Sequence, residues 1–199
     1  PQPVTALYTV AQTVLQFIGF GLGVAGFLAL ADEPGLLRAR APDRRDAVLI
    51  VAGIIILLVL QFALLYVLQT LGLSTGENRA MLPGREDPTY FLYMVVVSVL
   101  VVGPAEELLF RGVMQGLLRR ALAAWPAIVL AGAIFGSIHY FSVQGGMIEK
   151  LLYAGVAVLL GCLLGYLYER SGNLTVPALA HGLYNATLFG IQYAAAVAV

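Results

Sequence analysis

Six long apolar stretches constrain this chain more than any other feature, because each is long enough to cross a lipid bilayer as one helix. A spanning helix needs about 20 mostly apolar residues. The stretches cover residues 4–30, 47–71, 90 to about 118, 125–141, 148–168 and 177–199. Only 11% of the 199 residues are charged, whereas soluble domains carry about 25%. The sequence therefore predicts an all-α, multi-pass membrane protein of about six transmembrane helices in a single domain, 1–199.

Arginines are concentrated in the predicted loops on one side of this bundle. Short loops rich in Lys and Arg remain on the cytoplasmic side of a membrane. The basic residues of these loops are Arg38, Arg40, Arg44, Arg45, Arg119, Arg120 and Arg170. On the opposite side, Arg79, Arg85 and Lys150 are accompanied by Glu77, Glu86 and Asp87. We therefore expect the first side to face the cytoplasm and both ends of the chain to lie on the other side.

The charge balance and the cysteine content exclude several other classes of protein. Lys plus Arg and Asp plus Glu number 11 each, so there is no basic surface for nucleic acid and we expect membrane lipids as the surroundings. The single cysteine, Cys162, cannot form an internal disulfide or a zinc cluster, and we expect it to be a packing residue. The modest length and the absence of a recognisable transit sequence favour a prokaryotic cell membrane.

The stretch "GPAEELLFR" places three ionisable groups, Glu106, Glu107 and Arg111, inside an apolar segment. Each charge near a bilayer centre costs about 2.5 to 3.5 kcal/mol, so these groups should face the protein interior or a wet cavity. Glu107 and Arg111 have the i, i+4 spacing of a helical ion pair. This pairing would leave Glu106 without a local counter-charge and available as a proton acceptor. A purely structural ion pair is the competing interpretation.

Both histidines of the chain also fall in predicted membrane helices. "FGSIH" places Phe135 and His139 one above the other on a helical face, and "HGLYN" does the same for His181 and Asn185. A lone intramembrane histidine is more often a hydrogen-bonded packing residue. Two histidines, two glutamates, an arginine and an asparagine in three helices are better explained by one shared polar site.

Such a site is suited to the hydrolysis of a peptide bond. A glutamate and a histidine that converge on a water can act as general base and acid, while a second histidine with an asparagine can stabilise an oxyanion. A zinc ion held by Glu106, His139 and His181 is an alternative, although the H-E-x-x-H spacing is absent. An ion- or proton-coupled transporter and a catalytically silent immunity or scaffold protein are the other open interpretations.

These residues form three ordered motifs, E-E-x-x-x-R, F-x-x-x-H and H-x-x-x-N, between about residues 95 and 188. The chain thereby resembles the CPBP family of intramembrane proteases, which includes the type II CAAX prenyl endopeptidases and the bacteriocin-processing and immunity proteins. The resemblance places a protease core at about 90–190. It implies a membrane-associated peptide or protein substrate, which in the eukaryotic members is a prenylated C-a-a-X sequence.

The resemblance also assigns roles to the motif residues. Glu106 would activate the hydrolytic water with help from His139, and Glu107 and Arg111 would organise the site. The oxyanion hole would be formed by His181 and Asn185, and Phe135 would line the pocket. The family is commonly described as metalloproteases, yet we favour a glutamate-activated water with no obligatory metal.

Straight, alternating spans would not bring these residues together. Glu106 would lie near the middle of the membrane, His139 towards the outer end and His181 towards the inner end. Irregular backbone within a membrane is tolerated where it lines a cavity. We therefore predict a break at Gly103 and Pro104 or a re-entrant segment at residues 171–180.

Overall fold

Long helices make up most of the protein. The computed structural model describes residues 5–31 and 34–198. The long helices of these residues are α1 (Ala6–Leu30), α2 (Arg44–Thr70), α3 (Thr89–Ala121), α4 (Ala124–His139), α5 (Met147–Ser171) and α6 (Thr175–Val197). Shorter helical turns occur at Pro34–Leu36, Arg79–Met81, Pro83–Glu86 and Tyr140–Ser142. The all-α prediction is confirmed.

Within the described residues, five helices are long and apolar enough to span a membrane. They are α1, α2, α3, α4 with its following turn to Ser142, and α5. Exposed large apolar side chains along α1 and α2 form the kind of surface that faces lipid. The predicted multi-pass membrane protein is therefore confirmed. The sixth expected span corresponds to α6, which is not among the five because His181, Asn185 and Gln192 interrupt its apolar sequence. Positions 4 and 199, at the ends of two predicted spans, lie outside the described residues.

Helix α3 is continuous but irregular. It winds as a regular α-helix at Thr89–Val97, Gly103–Glu107 and Gly116–Ala121, and as a π-helix at Ser98–Val102 and Leu108–Gln115. π-Helical turns are rare and frequently occur at functional sites. The helix is therefore not broken at Gly103 and Pro104. The irregularity consists of two π-helical segments, one on each side of the two glutamates.

A short turn fixes the connection between α5 and α6. Gly172 adopts a left-handed conformation with φ of 60° and ends α5, as glycine commonly does. Asn173 is buried, donates to Asp46 Oδ2 at 3.0 Å and accepts from the backbone N–H of Arg40 at 3.0 Å. Residues 171–180 therefore form a tied turn followed by regular helix, and the re-entrant alternative is wrong.

The other end of the bundle is covered by residues 72–88. Strand β1 (Glu77–Asn78) pairs antiparallel with β2 (Val143–Gln144), just before α5. The backbone N–H of Gly76 donates to the Glu149 carbonyl at 3.1 Å, and the side chain of Asn78 donates to the Tyr153 hydroxyl at 2.8 Å. These contacts hold the covering segment against the start of α5.

Helices α4 and α5 pack together along a row of small residues. A Cβ added to Gly136 would lie 2.6 Å from the Ala154 carbonyl oxygen, and one on Gly132 would lie 2.7 Å from Cys162 Sγ. Small residues at such positions let membrane helices approach closely. Cys162 is a free thiol within this contact, in agreement with its expected packing role.

Candidate active site

A pair of glycines lets α3 and α6 cross closely. A Cβ on Gly103 would lie 2.8 Å from the Gly182 backbone nitrogen, and one on Gly182 would lie 2.8 Å from the Ser98 carbonyl oxygen. Those distances leave no space for a larger residue unless the backbone moves. Glu107 lies one turn after Gly103, and His181 immediately precedes Gly182. The crossing therefore brings the two glutamates of α3 against His181.

Glu107 is the centre of a buried charged cluster. Its Oε2 lies 3.0 Å from Arg111 Nε, and its Oε1 lies 2.8 Å from His181 Nδ1. Arg111 also donates through Nη2 to the Gly161 carbonyl at 2.8 Å, and its guanidinium lies 4.9 Å from the centroid of the Phe135 ring. The Glu107 and Arg111 side chains are 0% and 1% exposed. The expected pairing of these two residues is present, with Glu107 Oε2 and Arg111 Nε in ion-pair contact but without a hydrogen bond between them.

The contact with Glu107 determines which nitrogen of His181 carries a proton. An ionised carboxylate only accepts hydrogen bonds, so His181 donates to it from Nδ1. In a neutral imidazole the other nitrogen, Nε2, is then an acceptor. Nε2 lies 3.8 Å from Glu106 Oε2. His181 thus connects the buried glutamate to the second, more accessible one.

Glu106 occupies a different environment from its neighbour. Its side chain is 17% exposed and lines the main cavity of the described residues. Its carboxylate forms no ion pair with a described residue of α3, although it interacts electrostatically with Arg111, while His181 approaches it from α6. Glu106 is therefore the carboxylate of the pair that water in the cavity can reach.

His139 lies at the end of α4 and is fixed by three contacts. Its Nδ1 donates to the Phe135 carbonyl oxygen at 2.8 Å, so Nε2 is the nitrogen left for the cavity, which His139 lines. Its ring packs on Phe135 with centroids 4.1 Å apart and stacks on Tyr153 at 6.5 Å. In the described residues no hydrogen bond or ion pair joins His139 to Glu106 or His181.

Each of the three motifs contributes residues to the wall of one cavity of about 1280 Å³. Its wall includes Glu106, Phe135, His139, Tyr153, His181 and Asn185. Phe135 stands between the histidines, because its ring also meets the His181 ring edge to face at 5.9 Å. Asn185 follows His181 by one helical turn. The shared polar site expected from the sequence is therefore assembled around open space, with Glu107 and Arg111 behind its wall.

The cavity also resolves the difference in depth between the motif residues. Helix α4 has 16 residues, about 24 Å at 1.5 Å per residue, and the candidate span continues through the turn to Ser142. His139 is therefore the last residue of α4 but not the end of the span. The glycine crossing places Glu106 at the level of His181, and the cavity spans the remaining distance to His139.

The zinc alternative needs a set of donors that converge on one point. Among the residues described, no group of three or more His, Cys, Asp or Glu side chains is arranged to hold a metal ion. Of the candidate set, only Glu106 and His181 lie close together, at 3.8 Å. As arranged, the candidate ligands Glu106, His139 and His181 do not fit a metal site.

Three contributors to the site were not expected from the sequence. Tyr153 supports the His139 ring, Asn78 holds the Tyr153 hydroxyl, and the crossing of Gly103 with Gly182 sets the distance between two motifs. Gly182 lies within the third motif, next to His181. A small residue at that position was the one sequence signal for the close helix crossing. Asn78 lies in a polar loop far from the motifs and gave no signal.

Comparisons with known proteins agree with the motifs. The family model described as type II CAAX prenyl endopeptidase Rce1-like matches residues 88–187, about half of the chain. The uncharacterized protein YpbD of Bacillus subtilis (strain 168) is 31% identical over 111 residues, which cover 56% of this chain and 49% of that protein. The match thus spans about half the length of that relative. No solved structure matches the chain.

Proposed function

Since the chain belongs to the Rce1-like family of type II CAAX prenyl endopeptidases, we propose that it is an intramembrane endopeptidase that hydrolyses a peptide bond of a membrane-associated substrate. In this proposal a water activated by Glu106 attacks the scissile carbonyl. The protease core is residues 90–190, and the membrane is that of a prokaryotic cell. The observation that carries the proposal is the difference between the two adjacent glutamates: Glu107 is buried with two partners, while Glu106 faces the cavity.

Glu106 is the proposed general base. Its carboxylate takes a proton from a water in the cavity as the water oxygen forms a bond to the carbonyl carbon, which is the task of a positioned base. His139 assists through Nε2, which can accept a hydrogen bond from the same water because Nδ1 is occupied by the Phe135 carbonyl. Phe135 forms the wall between these groups and Arg111.

Asn185 and His181 are the proposed donors to the oxyanion. The Asn185 amide can donate directly. His181 donates from Nε2 only as an imidazolium, since Nδ1–H is bonded to Glu107. The carboxylates of Glu107 and Glu106, at 2.8 and 3.8 Å, balance that charge. Loss of one such donor typically costs about 3 to 4 kcal/mol of transition-state stabilisation.

Collapse of the tetrahedral intermediate completes the reaction. The carbon–nitrogen bond breaks, and the proton held by Glu106 passes to the leaving nitrogen. The products are a new carboxylic acid and a new amine, which ionise as carboxylate and ammonium, and Glu106 returns to its ionised form. Glu107 and Arg111 act as positioning residues that hold His181. The cavity of about 1280 Å³ exceeds the roughly 300–1,000 Å³ typical of small-molecule sites, which suits a substrate as large as a peptide.

The proposal is tested with purified protein in liposomes and an internally quenched peptide that ends in a farnesylated C-a-a-X sequence, alongside its unprenylated analogue. Glu106→Gln should lower the cleavage rate by about 10² to 10⁴, the contribution of a general base, while the protein still folds. Asn185→Ala should lower the rate by about 10² to 10³. Cleavage by Glu106→Gln at the wild-type rate would reject the role of Glu106. No detectable cleavage of these peptides or of any other membrane-anchored peptide by the wild-type protein would favour a scaffold or immunity role.

A further inference from the structure

The two ends of the helix bundle differ sharply in charge. One end, here called the basic end, consists of the loops after α1, α3 and α5 and the helix turns beside them. It carries Arg38, Arg40, Arg44, Arg45, Arg119, Arg120 and Arg170. The opposite end consists of the loops after α2 and α4, and its basic residues Arg79, Arg85 and Lys150 are offset by acidic neighbours. Under the positive-inside rule the basic end faces the cytoplasm.

The basic end is closed by a network of polar contacts. The Arg40 guanidinium lies 2.7 Å from Asp46 Oδ2, and the backbone N–H of Leu174 donates to the Arg38 carbonyl at 2.6 Å. Further along the same end, Arg119 Nε lies 3.2 Å from Glu169 Oε1. These contacts join the loop after α1, the turn before α6 and the ends of α3 and α5 into one layer.

The cavity lies towards the opposite end. Among the described residues, none of those that line it belongs to 31, 34–56, 107–134 or 165–180, which make up the basic end and the adjoining helix segments. Its wall instead includes the covering segment 75–88 and the halves of α1, α2, α5 and α6 that lie nearest to it. Arg79 and Arg85 line the cavity and are exposed. The cavity therefore opens to solvent at the end away from the arginine-rich loops.

Polar residues within the apolar helices follow the same asymmetry. The spans α1 and α2 place Thr9, Thr13, Gln16 and Gln61 on the cavity wall, and α6 adds Gln192. Polar side chains inside membrane helices usually face a water-filled cavity or the bundle interior. The polar residues of α1 lie in its first half, Gln61 lies in the second half of α2, and Gln192 lies near the end of α6. All of them therefore occupy the half of the bundle away from the basic end.

We propose that the active-site cavity opens on the extracytoplasmic side of the membrane and takes an exported, membrane-associated peptide whose scissile bond enters from that side. This substrate class rests on the proposed peptidase function. It differs from a cytoplasmic C-terminal tail, which could not reach Glu106 through the basic end. The segment 72–88, tied to α5 through Asn78 and Tyr153, is then the part of the protein that an incoming peptide meets first.

The orientation is tested in intact bacterial cells by thiol labelling, which does not depend on catalysis. A cysteine-free chain is made by Cys162→Ala, and single cysteines are added by Arg79→Cys at the cavity mouth or by Ala41→Cys, an exposed position at the basic end. A membrane-impermeant maleimide should label Arg79→Cys equally before and after permeabilisation, and Ala41→Cys only afterwards. The reverse pattern, or failure of Arg79→Cys to react in intact cells, overturns the proposal.

A second arm separates orientation from activity. A reporter peptide with one cleavable segment is anchored in the membrane so that the segment lies on either the outer or the cytoplasmic side. The proposal expects cleavage of the outer form alone, lost in Glu106→Gln. Cleavage of the cytoplasmic form alone overturns it. If Arg79→Cys is labelled from outside but neither reporter is cut, the orientation stands and the peptidase function fails.

Discussion

The division of roles between the two adjacent glutamates predicts that they differ in their effect on stability. Glu107→Gln removes the negative charge beside Arg111 at a position where both side chains are at most 1% exposed. Breaking a buried ion pair by removing one partner costs about 3 to 5 kcal/mol, because the remaining charge stays buried. We therefore expect Glu107→Gln to lower the free energy of unfolding by about 3 to 5 kcal/mol.

Glu106→Gln is the matched control for this prediction. The substitution is chemically identical and one residue away, but Glu106 is 17% exposed, lies 3.8 Å from His181 and interacts with Arg111 more weakly than Glu107 does. We expect a change within about 1 kcal/mol, as for most substitutions outside a buried network. Unfolding of the purified protein, titrated in mixed detergent micelles and followed by the fluorescence of Trp125, measures both variants. Equal destabilisation by the two substitutions would refute the assignment of Glu107 to structure and Glu106 to chemistry.

Three further outcomes follow from local contacts. Gly182→Ala should cost about 1 to 3 kcal/mol by overpacking the helix crossing. Gly190→Ala, where the added Cβ meets nothing within 4 Å, should cost nothing and stabilise the helix by up to about 1 kcal/mol in the same unfolding assay. Tyr153→Phe removes the hydrogen bond from Asn78 and should cost about 1 kcal/mol, with the ring stack and most of the cleavage rate retained. The pKa of Asp43 is lowered from 3.8, chiefly by the backbone N–H of the third residue of α2. The stabilisation of the folded state by the ionised Asp43 carboxylate should therefore be present at neutral pH and lost as pH falls below about 4. Asp43→Ala should abolish that part of the pH dependence of unfolding.

Periodicity and charge explain why much of the site could be predicted from the sequence. Apolar runs of bilayer length define the helices, and the i, i+4 spacing of Glu107 and Arg111 fixes their pairing because it needs only local helix geometry. The His181 to Glu107 contact depends instead on how α3 and α6 cross, which Gly103 and Gly182 determine at long range. The spacing of residues within one helix carries no information about how two helices cross.

The same distinction explains the errors. The re-entrant segment at residues 171–180 was predicted because straight spans of equal length would separate the motifs. The structure brings the motifs together through the glycine crossing and a wide cavity. The support that Asn78 gives to Tyr153 joins residues 75 positions apart, and a polar loop residue has no periodicity from which to infer such a contact.

The rate of peptide cleavage by Glu106→Ala, measured in liposomes with and without added formate, tests the general-base role most directly. Truncation leaves space beside His181 in the cavity of about 1280 Å³, so a small carboxylate can occupy the position of the lost base. We expect a rate lowered by about 10² to 10⁴ that rises with formate concentration, while Asn185→Ala shows no such rise. Retention of the wild-type rate by Glu106→Ala, or an equal response to formate in both variants, would contradict the assignment of Glu106 as the base that activates the water.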